Sequence, residues 1–143
     1  MSENLKIHSI TGAQTIDVMD EKDRKIGEFE FNPTDSNILK RYDAVVDWFN
    51  GVQPEEQTDD GQDYKAVNKL AAEIEEQFDF LLGFHVSEGI FKNCGPLTLL
   101  PNGDFFFENI LEGIGKIIEA ATNQRINKKL AKVRKATAKY QKK

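Results

Sequence analysis

The sequence of 143 residues predicts a mostly α-helical α+β fold, with a small N-terminal antiparallel β meander followed by three or four helices. Two patterns predict this class. Within residues 4–31, apolar and polar positions alternate with period two, as they do in half-buried strands. From residue 38 onward, apolar residues instead recur at intervals of three and four, which is typical of amphipathic helices.

The meander is expected to contain three short strands, because three alternating runs are separated by two turn signals at residues 11–13 and 21–23. The paired apolar residues that would share a face in successive strands are Leu5 and Ile7, Ile16 and Val18, and Phe29 and Phe31. Alternation of this kind buries one face of the sheet and leaves the other to solvent.

The first helix is expected to begin after residues 34–36, where Thr, Asp and Ser can each accept a hydrogen bond from an amide of the first helical turn. Its apolar stripe continues to Phe49, and Asn50-Gly51 supplies a stop. Residues 53–62 are acidic, contain Pro and Gly, and offer almost nothing to bury. They are expected to form a loop.

The second helix is expected to run from about Asp63 to Gly83, and a short helix is expected within residues 87–92. Asp104 follows a Pro-Asn-Gly turn and is expected to cap a long final helix that continues into the C-terminal residues.

Within that final helix, the best reason for Gly113 and Gly115 is close packing against another helix, because each glycine weakens a helix by roughly 1 kcal/mol relative to alanine. The three consecutive aromatic residues at 105–107 cannot all face one way on a helix. At least one of them is therefore expected at the surface or at an interface.

The length suits one domain with a single core, which we place at residues 1–124. No apolar run is long enough to cross a bilayer, so no membrane partner is expected. Cys94 is the only cysteine, which excludes an internal disulfide and suits a reducing compartment. The expected location is the cytoplasm.

Charge divides the chain into two parts. Residues 1–124 contain ten Lys or Arg and all twenty-four acidic residues, whereas residues 125–143 contain nine Lys or Arg and no acid. Asymmetry of this kind indicates a contact with an oppositely charged partner. The segment 125–143 is therefore separated as a basic C-terminal helix or tail.

The candidate binding residues combine an apolar seam with a cationic face: Ile126, Lys128, Lys129, Leu130, Lys132, Val133, Arg134, Lys135 and Lys139. Three readings of this segment remain open. The lysines could neutralise the phosphates of a nucleic acid, the seam could dock on a protein whose surface is acidic, or the segment could be a solvated tail. It could also meet the acidic body of its own or a neighbouring copy, which would make a homo-oligomer.

No catalytic or cofactor signature is present. His8 and His85 have no Cys or His partner at metal-ligand spacing, and Gly115-Lys116 lacks the upstream glycine of a phosphate-binding loop. The acidic segment before Asp63 does not fit a calcium loop either. If Gly61 is placed at the sixth position of such a loop, Val67 stands at the twelfth, where the loop requires a carboxylate. We therefore expect a binding protein rather than an enzyme, without a metal or other cofactor.

The order of several short motifs is distinctive. They are Phe29-x-Phe31-Asn32-Pro33-Thr34-Asp35, Lys40-Arg41-Tyr42, Phe78-x-x-x-Leu82-Gly83, Ile90-Phe91, Pro96-Leu97, Asn102-Gly103 and Phe107-x-x-Ile110-Leu111, followed by the Lys-rich C-terminus. This order resembles that of the small tail assembly chaperones of long-tailed phages and Gram-positive prophages. The likeness covers most of residues 26–143, although residues 82–87 lack the second glycine of the F-G-x-G-[TS] pattern that this family often has.

The resemblance implies a protein without catalytic activity that binds the tape measure protein in the bacterial host cytoplasm. It would keep that long helical polypeptide soluble, help to recruit tail tube subunits, and be absent from the mature virion. The alternative is a nucleic-acid-binding accessory protein that uses the basic C-terminal helix.

Overall fold

A computed structural model describes residues 4–51, 63–83 and 85–140, with side chains from Asn4 to Asn123 apart from that of Asp63. Its elements in chain order are β1 (Gln14–Met19), β2 (Lys25–Phe31), α1 (Ile38–Gly51), α2 (Asp63–Leu82), α3 (Ser87–Ile90) and α4 (Phe106–Tyr140). The mostly helical α+β class is therefore confirmed. The loop expected at residues 53–62 lies outside the described residues.

The strand expected around Leu5 and Ile7 does not form, so the expected meander of three strands is an antiparallel hairpin of β1 and β2. Residues 4–13 make no strand, and their side chains are exposed. Alternation of apolar residues permits a strand, but a strand also requires a partner for its backbone, and this segment has none among the described residues.

The hairpin is closed by Asp20. Its carboxylate accepts hydrogen bonds from the amides of Lys22 and Arg24 at 2.9 and 2.8 Å, and Asp23 adopts a left-handed conformation with φ of 60°. This turn sets the register that places Ile16 opposite Phe29. Phe29 and its neighbour on the same face, Phe31, are both buried.

The helix α1 begins as the capping residues predict. Asp35 accepts a hydrogen bond from the Asn37 amide at 2.9 Å through its carboxylate, and another from the Ile38 amide at 3.0 Å through its carbonyl. Arg41 then donates to Asp35 at 2.8 Å and to the carbonyl of Leu81 at 3.0 Å. One guanidinium therefore joins the start of α1 to the end of α2.

The start of α4 differs from the prediction, because Asp104 does not cap it. The helix begins at Phe106, and Glu108 reaches back to accept the amide hydrogen of Phe105 at 3.0 Å. The next amides, those of Phe106 and Phe107, donate to the carbonyls of Thr98 and Pro96 at 2.8 and 3.0 Å. The preceding loop thus satisfies donors that a side-chain cap would otherwise have to meet.

Contacts between aromatic rings connect the core with partly buried residues packed against it. Phe49 of α1 stacks on Phe107 of α4 with ring centroids 4.7 Å apart, and Phe78 of α2 meets Phe91 edge to face at 5.2 Å. Phe91 contacts Phe106 in turn, at 6.0 Å. These rings connect three helices and the segment after α3, so the core links the helices into one body over the described residues.

The aromatic run at 105–107 divides as expected. Phe106 is buried and Phe107 half-buried, whereas Phe105 remains exposed.

The prediction that Gly113 and Gly115 allow close packing holds for Gly115 and not for Gly113. An alanine methyl group at Gly115 would collide with Tyr42, but a methyl group at Gly113 would meet nothing within 4 Å.

Candidate functional site

A groove of about 500 Å³ lies between α1 and α4. The residues that define it are Leu39, Tyr42, Gly115, Ile118, Thr122 and Asn123. Ile118 is buried, whereas Leu39 leaves 46% of its surface exposed. A helix of a globular protein normally buries an aliphatic stripe against the core. Leu39 lies outside that buried stripe and contributes apolar surface at the edge of the groove.

Tyr42 forms one wall of the groove. Its hydroxyl donates a hydrogen bond to the Leu111 carbonyl at 3.2 Å, and its ring lies where a side chain on Gly115 would have to be. Burial raises the pKa of Tyr42, and the negative charges of Glu112 and Asp43 raise it further. The phenol therefore stays protonated at neutral pH and keeps its donor role.

Two acidic residues and one lysine line this groove. Glu112 and Glu119 line it, and Glu112 forms an exposed ion pair with Lys116 at 3.3 Å. An exposed pair of this kind contributes little to stability. The carboxylate of Glu112 therefore remains accessible to a competing cation. The charged rim of the groove suits a partner that presents an apolar face with basic residues at its edges.

The nine residues predicted to bind a partner, Ile126 to Lys139, all belong to the helical backbone of α4. Their side chains lie outside the part of the chain that the structure describes, so their role stays a prediction. The groove reaches Asn123 on the same helix, only three residues before Ile126. The candidate site therefore consists of the α1–α4 groove and the basic segment that directly follows it.

A second, open cleft of about 650 Å³ lies beside α3 and is lined in part by Glu75, His85 and Ser87. Ser87 is engaged in structure: its amide and hydroxyl donate to the two carboxylate oxygens of Asp79 at 2.8 and 3.0 Å. Burial raises the pKa of Glu75, and the charge of Asp79 raises it further. The Asp79–Ser87 pair anchors α3 to α2, so a structural role accounts for this polar cluster and no catalytic role is needed.

Among the described residues, no three His, Cys, Asp or Glu side chains lie close enough together to share an ion. His8 and His85 are both exposed, and Cys94 is a half-buried free thiol. Every buried side-chain nitrogen or oxygen in the same part of the chain has a hydrogen-bond partner.

Sequence reasoning missed the groove, because its lining residues on α1 and on α4 are at least 70 positions apart in the chain. One signal pointed toward it. A glycine inside a strongly patterned helix usually has a packing reason, and Gly115 has one in Tyr42. That signal does not identify Tyr42 as the residue in contact with Gly115.

None of the helices described here is long and apolar enough to cross a membrane. No known family model matches the sequence, no curated protein matches it, and no solved structure matches its fold.

Proposed function

We propose that this chain is a non-catalytic tail assembly chaperone of a phage or prophage, which binds the tape measure protein and supports assembly of the tail tube. It would act in the bacterial cytoplasm and be absent from the finished virion. The observation that carries the proposal is α4, which runs without interruption from Phe106 to Tyr140. The same helix thus supplies core residues, one side of the groove and the backbone of the basic segment.

The geometry of the groove supports a helical partner. An amphipathic helix that enters a groove places apolar side chains three and four residues apart against its floor. Leu39 provides exposed aliphatic surface here, beside the buried Ile118, and Glu112 and Glu119 provide charge at the edge. A tape measure protein is a long helical polypeptide that must be kept soluble, so apolar contact with a charged rim fits that task.

The first experiment is co-expression with the tape measure protein encoded in the same genome, followed by affinity capture at about 150 and 500 mM salt, which differ strongly in charge screening. We expect capture at both salt concentrations and an increase in soluble partner, because apolar contact resists screening. The absence of capture at both would overturn the proposal.

The contribution of the basic segment is tested by two sets of substitutions. Leu130→Ser with Val133→Ser removes the apolar seam, and we expect it to reduce capture most. Lys128→Gln, Lys129→Gln and Lys132→Gln together should reduce capture mainly at low salt. The matched control changes three exposed lysines elsewhere, Lys22, Lys65 and Lys69, to glutamine and should leave capture unchanged.

Nucleic-acid binding is the second candidate, favoured by the nine basic residues within 125–143. Phosphate binding releases counterions, so affinity should fall steeply between about 50 and 200 mM salt. Retention on a nucleic-acid column that is lost in this range and abolished by the triple lysine substitution would support this candidate. Combined with failure to capture the tape measure protein, that result would replace the chaperone proposal.

A further inference from the structure

Three large aliphatic side chains near the N-terminus are almost fully exposed. The exposed fractions of Leu5, Ile7 and Ile10 are 101%, 97% and 99%. Single exposed apolar residues are common, but three within six residues concentrate apolar surface in one short segment, and such surface often marks an interaction site. The alternation of Leu5-Lys6-Ile7-His8 is also the pattern of a strand. This segment therefore has the sequence of a strand and lacks a sheet.

The sheet, conversely, lacks a strand. It contains only β1 and β2 among the described residues, so β1 pairs with β2 on one side and has no strand on the other. The far side of β2 is approached by α3, and Asn93 donates to the Ile26 carbonyl there at 2.8 Å. A sheet of two strands is marginal by itself, and an open edge is a template for another strand.

The N-terminal segment is directed away from the β1 edge of its own chain. The side-chain amide of Asn32, just after β2, donates to the Thr11 carbonyl, and Gly12 takes a left-handed conformation with φ of 84°. Thr11 is thereby held beside the end of β2 rather than turned back along β1. The full exposure of Leu5 and Ile7 agrees with this path.

The segment and the edge match on both faces in one antiparallel register. If Leu5 lies opposite Val18, then Ile7 lies opposite Ile16, and both pairs are on the inner face, where Val18 is buried and Ile16 half-buried. In the same register Lys6 lies opposite Asp17 on the outer face.

That outer face is acidic. Asp17 pairs across the sheet with Glu28, Glu30 is exposed beside them, and Lys25 contacts Asp17 at 3.4 Å. A lysine added on this face would therefore relieve repulsion between carboxylates, while leucine and isoleucine extend the apolar face behind it.

We infer that residues 4–10 of one copy pair as an antiparallel strand with the open edge of β1 in a second copy of the chain. The same chain carries both the strand and its complementary edge, so two copies can exchange segments reciprocally. That exchange uses both edges and closes into a two-fold dimer, which is the commonest symmetric assembly. Main-chain hydrogen bonds supply affinity, and the alternating side chains supply the register.

The test is the molar mass of the full chain by light scattering over a concentration series, with Leu5→Ser/Ile7→Ser compared with Ile10→Ser. Ile10 is as exposed as the other two residues, but in this register it lies opposite Ala13, before β1 begins. The wild type and Ile10→Ser should dimerise equally. The double variant should dimerise at least about a hundredfold more weakly, since two aliphatic side chains of each copy lose their burial.

A charge exchange provides an independent measurement. Lys6→Glu should weaken the dimer, and Asp17→Lys added to it should restore dimerisation. A wild type that stays monomeric up to about 100 μM would overturn the inference, because a specific dimer forms well below that concentration. A dimer that is unaffected by the Leu5 and Ile7 substitutions would overturn it too, because the interface would then lie elsewhere.

Discussion

Gly27 of β2 and Gly89 of α3 approach each other so closely that neither position can hold a side chain. A methyl group on Gly27 would lie 2.7 Å from the carbonyl oxygen of Gly89, and one on Gly89 would collide with the carbonyl oxygen of Glu28. Both obstacles are backbone atoms, which cannot rotate away as a side chain can. The two glycines therefore fix the distance at which α3 packs beside the hairpin.

Alanine at Gly27 or at Gly89 should destabilise the fold by at least about 2 kcal/mol, because the backbone of β2 or α3 must shift to accept the methyl group. Urea unfolding followed by circular dichroism measures this difference. Gly95→Ala is the control, since its methyl group would meet only the Thr98 hydroxyl at 3.8 Å. Equal stability of all three variants would contradict the close approach.

Gly115→Ala and Gly113→Ala should have opposite effects although both lie in α4. At Gly113 the methyl group meets nothing, so the variant should gain up to about 1 kcal/mol from the better helix propensity of alanine. At Gly115 it collides with Tyr42, and a loss of about 1–3 kcal/mol is expected.

A double-mutant cycle isolates the contact in that second case. Tyr42→Ala should itself destabilise the protein, but Gly115→Ala should cost much less in that background than in the wild type. Additive effects of the two substitutions would show that the ring of Tyr42 is not what excludes a side chain at position 115.

Acid should weaken the junction of α1 and α2 through Asp35. The amide of Asn37 and, after it, the guanidinium of Arg41 hold the pKa of this carboxyl below its usual value of 3.8. Its contribution to stability is therefore complete above pH 3.8 and is lost as the pH falls through the lower folded-state pKa.

The free energy of unfolding of Asp35→Asn should accordingly lie below that of the wild type at pH 7, and the gap should narrow below pH 3.8. Urea titrations at a series of pH values measure it. Ser36→Ala changes an exposed neighbour without an ionisable group and should keep the wild-type pH profile. A gap that is constant down to pH 2 would refute the role assigned to Asp35, as this is about two units below the usual value.

Glu75 should have the opposite effect to Asp35 on the pH dependence of the free energy of unfolding. Burial raises the pKa of this carboxyl above 4.5, with a further increase from Asp79. The charged form is therefore less favourable in the folded state than in the unfolded chain, and stability is lost as the pH rises through the folded-state pKa. Glu75→Gln should be more stable than the wild type at pH 7, and this advantage should vanish below pH 4.5. Guanidinium unfolding of both proteins at pH 7 and below pH 4.5 measures whether the difference in their free energies of unfolding has this sign and this pH dependence.

Much of the fold was predictable, because its helices and hairpin rest on local signals. The apolar stripe between residues 38 and 49, with polar caps before it and Asn50-Gly51 after it, corresponds to α1 at Ile38–Gly51. Gly83 ends α2 in a left-handed conformation with φ of 83°. Such signals act within one or two turns of chain, where sequence neighbours are also spatial neighbours.

Predictions failed where a distant residue makes the decisive contact. Asp104 has a suitable side chain for a cap, but the carbonyls of Pro96 and Thr98 already accept the first amides of α4. The α1–α4 groove likewise depends on Tyr42 crossing to Leu111, a contact over 69 positions. The first arrangement leaves no trace in the local pattern, and the second leaves only Gly115, which does not identify Tyr42 as the residue in contact with it.

The sequence by itself determined the type and order of the helices and of the two strands that form, and the division of charge at residue 125, because periodicity and composition are local properties of the chain. Only the tertiary structure decided that position 115 must lack a side chain, whereas Gly113 has room for one. The two residues differ by about 200° around the helix, so only one of them can face α1. Only the tertiary structure, too, left the strand-like segment at Leu5 and Ile7 unpaired, since a strand is completed by backbone partners that alternation alone does not provide.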